Sequence, residues 1–208
     1  MTPSRLRFLP LAAAAAFTAA SCGAPTSSTA KYECSNTATG NGLPTIADTA
    51  GIFSINGGPP SGPSGVNTCT PAPVIAQPSA LFDFVVDVEG TEAWVLPPKA
   101  VSSANSAGWR ATTGAYDSIT AAPTSGYNDS LPLPIVPGSV FFIQALKPGC
   151  ALLSYQSQRY IYSKFIIDSI HYYPYNAVTA PAGLTVYYRM VVDPICGYTS
   201  LKPGIPTS

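Results

Sequence analysis

Proline and glycine are the residues that most constrain how this chain can fold. The sequence contains 22 prolines and 17 glycines among 208 residues. Proline lacks a backbone N–H and disrupts helices, while both residues favour turns, so their frequency argues against long helices. Hydrophobic residues still make up 46% of the chain, which is enough for a core. This balance favours short strands joined by turns and therefore an all-β fold.

The region after residue 80 alternates apolar and polar residues in the way that half-buried strands do. In the segment 82–88, Phe and Val occupy one face, and Asp83 and Asp87 occupy the other. Two later segments repeat the pattern, with polar positions at Lys164, Asp168, Thr185, Arg189 and Asp193. Seven or eight such strands, separated by Pro and Gly turns, predict an antiparallel β-sandwich over residues 80–208. Their polar faces argue against an all-parallel sheet.

The N-terminus has the composition of a secretory signal peptide. Arg5 and Arg7 precede an apolar run over residues 8–20. That run is shorter than the roughly 20 residues that a membrane-spanning helix needs. A basic start followed by a short apolar stretch and small residues is typical of an export signal. We therefore predict that residues 1–21 direct export and are then removed.

Cys22 ends this run, and the sequence Ala19-Ala20-Ser21-Cys22 resembles the lipobox of bacterial lipoproteins. That family more commonly has a larger aliphatic residue at the position of Ala19. The resemblance implies that Cys22 becomes the lipidated first residue, which anchors the chain to a membrane. By the same resemblance, Gly23 directs the protein to the outer membrane or cell surface, with the periplasmic side also open. Ordinary signal peptidase cleavage before Ser21 is the alternative, and it leaves Cys22 as a thiol.

The other four cysteines provide two disulfides in an oxidising compartment. They are Cys34, Cys69, Cys150 and Cys196. Four cysteines allow three pairings, and we favour 34–69 with 150–196 because these partners are nearest in sequence. Residues 22–79, rich in Pro, Gly, Ser and Thr, are then interpreted as a lipid-anchored linker and a disulfide loop. Their Pro and Gly density argues against a central strand in the segment 54–78.

Composition also argues against several functions. Charged residues make up only 10% of the chain, so no basic surface for nucleic acid is expected. His171 is the single histidine, and the sequence contains neither a Gly-x-Ser-x-Gly elbow nor a phosphate-binding glycine loop. A hydrolase would need a pocket that gathers His171 with a serine and an acid. We predict no catalytic residue, no metal site and no cofactor, and a protein that is not an enzyme.

Aromatic residues are the one feature that points to binding. Tyrosine combines a flat apolar ring with a hydroxyl, which suits contact surfaces as well as sheets. The predicted binding residues are Trp94, Trp109, Tyr155, Tyr160, Tyr162, Tyr172, Tyr173 and Tyr175. With the low charge, they favour a structural or accessory lipoprotein that docks onto another protein or a larger membrane-associated assembly. The alternative is a carbohydrate-binding β-sandwich module, in which a planar exposed row of aromatic rings contacts polysaccharide.

Overall fold

The computed structural model of the chain describes residues 48–55, 64–67, 69–75, 82–89, 91–101, 103, 105–150, 159–173 and 183–204. Within these ranges the chain forms ten β-strands and two short 3-10 helices, at Pro98–Val101 and Tyr116–Ser118. The strands are β1 (Asp48–Ile55), β2 (Ser64–Asn67), β3 (Thr70–Ile75), β4 (Phe84–Glu89), β5 (Glu92–Leu96), β6 (Ala107–Thr112), β7 (Leu133–Ile135), β8 (Val140–Leu146), β9 (Tyr160–Tyr173) and β10 (Gly183–Asp193).

The strands form two five-stranded sheets. The first sheet has the order β1-β10-β9-β8-β6, and the second has the order β3-β2-β4-β5-β7. All of these neighbouring strands pair antiparallel. Residues of both sheets share one apolar core. The predicted all-β, antiparallel sandwich is therefore confirmed.

Seven of the ten described strands lie after residue 80, in agreement with the seven or eight predicted there, and three more precede it. β1 pairs with β10 over all eight of its residues, and β2 lies between β3 and β4. The expectation that this segment holds no central strand is wrong for β2, whose four residues include no proline. β3 does contain Pro71 and Pro73, but it lies at the sheet edge, where a missing N–H is tolerated.

The core between the sheets forms from the predicted inward positions. Phe84 of the second sheet meets Phe165 of the first edge-on, with ring centroids 5.2 Å apart. Phe165 in turn stacks on Phe141 at 5.3 Å. The apolar residues that alternate with the predicted polar positions of β9 and β10 all belong to this core or pack against it: Ile161, Phe165, Ile167, Leu184, Val186, Tyr188, Met190 and Val192. Period-2 alternation therefore identified the inner faces correctly.

The outer face of the first sheet is covered by other parts of the chain. The loop that contains Tyr116–Ser118 and the C-terminal segment 194–204 supply residues to a second apolar cluster on this face. The two segments are hydrogen-bonded to each other, with the Ala122 N–H donating to the Thr199 carbonyl at 2.7 Å. The buried members of this outer cluster are Tyr116, Ala122, Val140, Phe142, Tyr162, Val191 and Leu201.

Three of the polar positions on the outer face are buried, which corrects the expectation of a polar face. Thr185, Lys164 and Asp193 are 5%, 3% and 0% exposed. The Lys164 Nζ donates to the carbonyls of Tyr116 and Ile119 at 2.9 and 2.8 Å, and it lies 4.4 Å from the centre of the Tyr116 ring. Lys164 therefore connects the loop that contains Tyr116–Ser118 to the first sheet by hydrogen bonds.

Asp193 lies at the end of β10, opposite Tyr162 of β9. Its Oδ1 accepts the Ile195 N–H at 2.9 Å, while its buried Oδ2 has no hydrogen-bond partner among the described residues. Burial raises the pKa of Asp193 to about 7. The carboxyl therefore changes its charge near neutral pH while it is enclosed by the fold.

A buried ion pair joins the two sheets. Asp83 precedes β4 of the second sheet, and Lys147 follows β8 of the first. The Lys147 Nζ lies 2.6 and 2.7 Å from the two carboxylate oxygens of Asp83. The prediction that Asp83 lies on the polar face of a strand is therefore wrong, because the residue lies just before β4 and is buried.

Cys150 and Cys196 form a disulfide, with Cα atoms 5.5 Å apart, as favoured from the sequence. Cys69 is also disulfide-bonded, but its predicted partner Cys34 lies outside the described residues. The predicted signal peptide and Cys22 lie outside them as well. Within the described ranges, no helix is long and apolar enough to cross a membrane.

Candidate functional site: an apolar ridge at a sheet edge

The two most exposed large apolar side chains of the described residues lie close together in sequence, at the edge of the second sheet. Leu131 is 61% exposed and Val136 is 63% exposed. Prolines 132, 134 and 137, which lie between and beside them, are exposed as well. We name residues 131–137 the apolar ridge. It is an uncharged surface of aliphatic side chains and proline rings.

The ridge is held in place by the alternation of β7. Leu133 and Ile135 point inward and are 8% and 1% exposed, while Pro134 between them faces outward. β7 pairs with β5, with Leu133 opposite Val95 and Ile135 opposite Ala93. Two buried side chains and one strand pairing therefore fix the backbone that presents the exposed residues.

The open edge of the ridge is poor in hydrogen-bond donors. Pro132 and Pro134 have no N–H. In an antiparallel pair, alternate residues direct their main chain towards the partner, so the ladder runs through Leu133 and Ile135 while Pro134 turns away from β5. The Val136 N–H donates to the Ser139 Oγ at 2.9 Å. Regular strand addition at this edge is therefore blocked, because it needs donors as well as acceptors.

Both tryptophans border the ridge. Trp109 of β6 donates from its indole Nε1 to the Leu131 carbonyl at 2.6 Å. Trp94 of β5 lies opposite Pro134, and its buried Nε1 has no hydrogen-bond partner among the described residues. Both residues are half-buried. The fold thus brings two of the predicted binding residues, one from each sheet, to the same ridge.

An open cleft of about 510 Å³ lies beside the ridge and is lined by residues 126–131. Asn128 shapes this turn, because its Oδ1 accepts the N–H groups of Ser130 and Leu131 at 3.0 and 2.8 Å. The Asn128 backbone also bridges to Trp109 on the free side of β6. The side chain of Asn128 therefore fixes the position of Leu131, where the cleft meets the ridge.

One charged pair borders the cleft. Lys99 and Asp129 lie 3.4 Å apart, and both are mostly exposed. The hydrogen bond from the Ser130 hydroxyl, and after it the Lys99 charge, lower the pKa of Asp129. Burial raises the pKa of Tyr127, whose neutral phenol donates to the Pro123 carbonyl at 2.9 Å. The cleft therefore has a carboxylate in its lining and an ammonium group paired with it, while the ridge itself has no charged side chain.

The predicted binding tyrosines whose side chains the structure describes are Tyr160, Tyr162 and Tyr172, and all three lie on β9 of the first sheet rather than on β7. Tyr162 is 2% exposed, and its hydroxyl accepts a hydrogen bond from Gln144 at 3.1 Å, so its assignment as a binding residue is corrected to a structural role. Tyr160 is half-buried against the outer cluster, and Tyr172 is 40% exposed in β9. Tyr155, Tyr175 and the side chain of Tyr173 lie outside the described part of the chain.

His171 lies on an exposed stretch of β9. Its Nε2 is 3.4 Å from the Ser169 hydroxyl, and its ring meets Tyr187 edge-on at 5.4 Å. The nearby carboxylate of Asp168 is engaged by the Arg189 guanidinium at 3.1–3.2 Å. The described residues therefore do not assemble a serine, histidine and acid in one pocket. They also contain no cluster of three or more His, Cys, Asp or Glu that could hold a metal ion.

The apolar ridge was not predicted from the sequence, although the spacing of its prolines indicates an edge strand. Prolines 132 and 134 flank Leu133 in "LPLPIVPG". A strand with prolines at alternate positions can lie only at an edge, with the prolines directed outward.

No protein-family model, no curated protein and no solved structure matches this chain.

Proposed function

We propose that this protein is a non-catalytic, lipid-anchored envelope protein that docks onto a larger assembly through its apolar ridge. The observation that carries this proposal is the exposure of Leu131 and Val136 beside three exposed prolines. Contiguous exposed apolar surface on a soluble domain commonly marks a contact site. The low overall charge, 10% of residues, supports the same conclusion.

The ridge has the properties of a preorganised contact. Proline restricts the backbone, and buried Leu133 and Ile135 hold it against the core. A surface that is already ordered loses little conformational entropy on binding. Trp94 and Trp109 add half-buried aromatic area at its border, and tryptophan is enriched among the residues that dominate interface energies.

The membrane attachment is proposed from the N-terminal sequence. Lipidation at Cys22 leaves an even number of cysteines for disulfides, and the Cys150–Cys196 bond is consistent with an oxidising compartment. Intact-mass measurement of protein purified from its own membranes tests this attachment. We expect a chain that begins at Cys22 and carries a lipid. An unlipidated chain that begins at Ser21 would refute the anchor.

Docking is tested by chemical cross-linking in native membranes. We expect the wild-type protein to give a reproducible partner band that a Leu131→Ser, Val136→Ser double variant reduces at least fivefold. The matched control is Tyr172→Ser, Tyr187→Ser, since these are the other two exposed large hydrophobic side chains among the described residues. The absence of a partner, or equal loss in both variants, would contradict docking through the ridge.

Carbohydrate binding is the second candidate. Tyr172 and Tyr187 are each 40% exposed, and Tyr187 packs against His171. Tyrosine rings at such positions can stack on sugar rings. In the register, however, Tyr172 pairs with Leu184 and so shares the face of this core residue. Tyr187, three residues after Leu184, lies on the opposite face, so the two rings do not form one row. A glycan array in which the Tyr172→Ser, Tyr187→Ser variant loses the signals of the wild type would support this function, and an array without signals would end it.

A further inference from the structure

We infer that the apolar ridge is recognised by a partner groove lined with aromatic side chains that donate hydrogen bonds, above all tryptophan indole N–H groups. This partner class rests on the docking function proposed above, and it specifies the chemistry of that contact. Three features of the ridge support it: its hydrogen-bonding groups, its lack of charge and a matching contact already present within the molecule.

The hydrogen-bonding groups at the two ends of the ridge are already engaged. The Leu131 N–H donates to the Asn128 Oδ1 at 2.8 Å, and the Leu131 carbonyl accepts the Trp109 Nε1–H at 2.6 Å. At the other end, the Val136 N–H donates to Ser139, and the Val136 carbonyl accepts the Ser139 N–H. A partner therefore gains little from the main chain at either end.

Between these ends, the ridge offers acceptors only. Leu133 and Ile135 pair with β5, so the main chains of Pro132 and Pro134 turn to the open edge. Both residues are exposed, and each has a carbonyl oxygen but no N–H. At about 3.3 Å per residue, these two acceptors lie roughly 7 Å apart along the strand. The partner must therefore supply donors at a matching spacing.

The surroundings of these acceptors restrict the kind of donor. The ridge carries no charged side chain, so a Lys or Arg buried against it would lose its hydration without gaining an ion pair. An added strand is blocked because it needs N–H groups in return. Tryptophan and tyrosine supply an uncharged donor and need no N–H group from the ridge in return. Their rings pack on proline and aliphatic side chains while the indole N–H or phenol O–H donates.

The molecule itself contains one example of this recognition. The Trp109 indole reaches the Leu131 carbonyl at the start of the ridge through its Nε1–H. An indole on a partner that approached the Pro132 or Pro134 carbonyl would repeat this contact at a neighbouring residue of the ridge. The intramolecular contact shows that a main-chain carbonyl of the ridge accepts an indole donor next to an apolar side chain.

The test is an NMR titration of the full mature protein with N-acetyl-tryptophanamide. Its 1-methylindole analogue is the matched probe, because it keeps the ring but lacks the N–H. We expect saturable shifts in the methyl signals of Leu131 and Val136, with affinity at least threefold weaker for the methylated probe. Because the double variant lacks these methyl groups, binding to the variants is followed at the Ile135 methyl and Ser139 amide signals. The Leu131→Ser, Val136→Ser variant should lose binding of both probes, while Tyr187→Ser should retain it.

Equal affinity for the two probes, shifts confined to other surfaces, or no shifts with either probe would overturn the inference. These outcomes are distinguishable from failure of the docking function itself. A reproducible partner in membrane cross-linking together with no preference for the indole N–H would preserve docking and reject the aromatic donor. An indole preference without any membrane partner would instead reject the proposed docking function, and with it the partner class.

Discussion

At the scale of single residues, Asp193 has the chemistry most sensitive to pH. Its carboxyl is fully buried, and burial raises its pKa from 3.8 to about 7. The folded protein therefore retains this proton over a pH range in which the unfolded chain has released it. The contribution of Asp193 to the free energy of unfolding is greatest below about pH 4. It is lost progressively as the pH rises from about 4 through 7.

We expect Asp193→Asn to remove this dependence, because asparagine stays neutral at every pH. Between pH 5 and pH 8, the wild-type free energy of unfolding should fall by about 2–3 kcal/mol relative to that of the variant. Urea unfolding of both proteins across this range measures the difference. The exposed Asp117→Asn variant is the control and should follow the wild type. Parallel pH profiles for wild type and Asp193→Asn would show that the Asp193 carboxyl does not titrate as described.

At the scale of elements, the loop over the outer face of the first sheet depends on Lys164. The buried ammonium donates to two loop carbonyls, so its removal takes a donor from each. The Ile119 carbonyl loses this bond, while the Tyr116 carbonyl still accepts the Ile119 N–H at 3.3 Å. An unsatisfied buried polar group costs about 1–3 kcal/mol. The loop also bonds to the C-terminal segment through the Ala122 N–H and the Leu201 N–H. Lys164 is therefore expected to stabilise both covering segments together.

Lys164→Met should destabilise the protein by about 2 kcal/mol or more and increase hydrogen exchange at the Ala122 and Leu201 amides. Amide exchange followed by NMR or mass spectrometry checks both effects. Lys99→Met provides the matched control, because Lys99 forms an exposed pair with Asp129, and such pairs contribute little. Unchanged exchange at the two amides in Lys164→Met would contradict the role of Lys164 in holding the loop.

The elements also show what the sequence could and could not predict. Alternation in β4, β9 and β10 identified their core-facing residues, because one face of each strand meets the opposite sheet. The same pattern could not reveal that Lys164 is covered, since the loop at Tyr116–Ser118 is distant in sequence. It could not reveal the burial of Asp193 either, because alternation within β10 carries no information on where the following segment 194–204 packs. The ridge was missed for a different reason: its prolines were interpreted as turn signals, although an edge strand tolerates them.

At the scale of the whole molecule, the buried Asp83–Lys147 pair links the two sheets. Lys147→Met leaves the Asp83 carboxylate buried without this partner, which should lower the free energy of unfolding by about 3–5 kcal/mol. Adding Asp83→Asn should recover much of the loss, because it removes the buried charge. Chemical denaturation of the two single variants and the double variant measures the coupling. Additive effects would show that the two side chains do not stabilise the sandwich as a pair.

In the proposed function, attachment and recognition use different parts of the sequence. The predicted lipid at Cys22 lies 26 residues before the start of β1 at Asp48, and the ridge is on an edge strand of the second sheet. The sequence between Cys22 and β1 is rich in Gly, Ser and Thr, a composition typical of a tether. A tethered domain with a rigid apolar edge is suited to docking on a neighbour at the same membrane.

Site-specific photo-cross-linking in native membranes tests docking through the ridge most directly. A photoreactive phenylalanine derivative is placed at Val136, and in a separate protein at Tyr187, which is exposed on the other sheet. We predict that Val136 yields one reproducible partner whose cross-linked peptide contains tryptophan or tyrosine, and that Tyr187 does not capture this partner. No product from Val136, or the same product from both positions, would contradict the ridge as the docking surface.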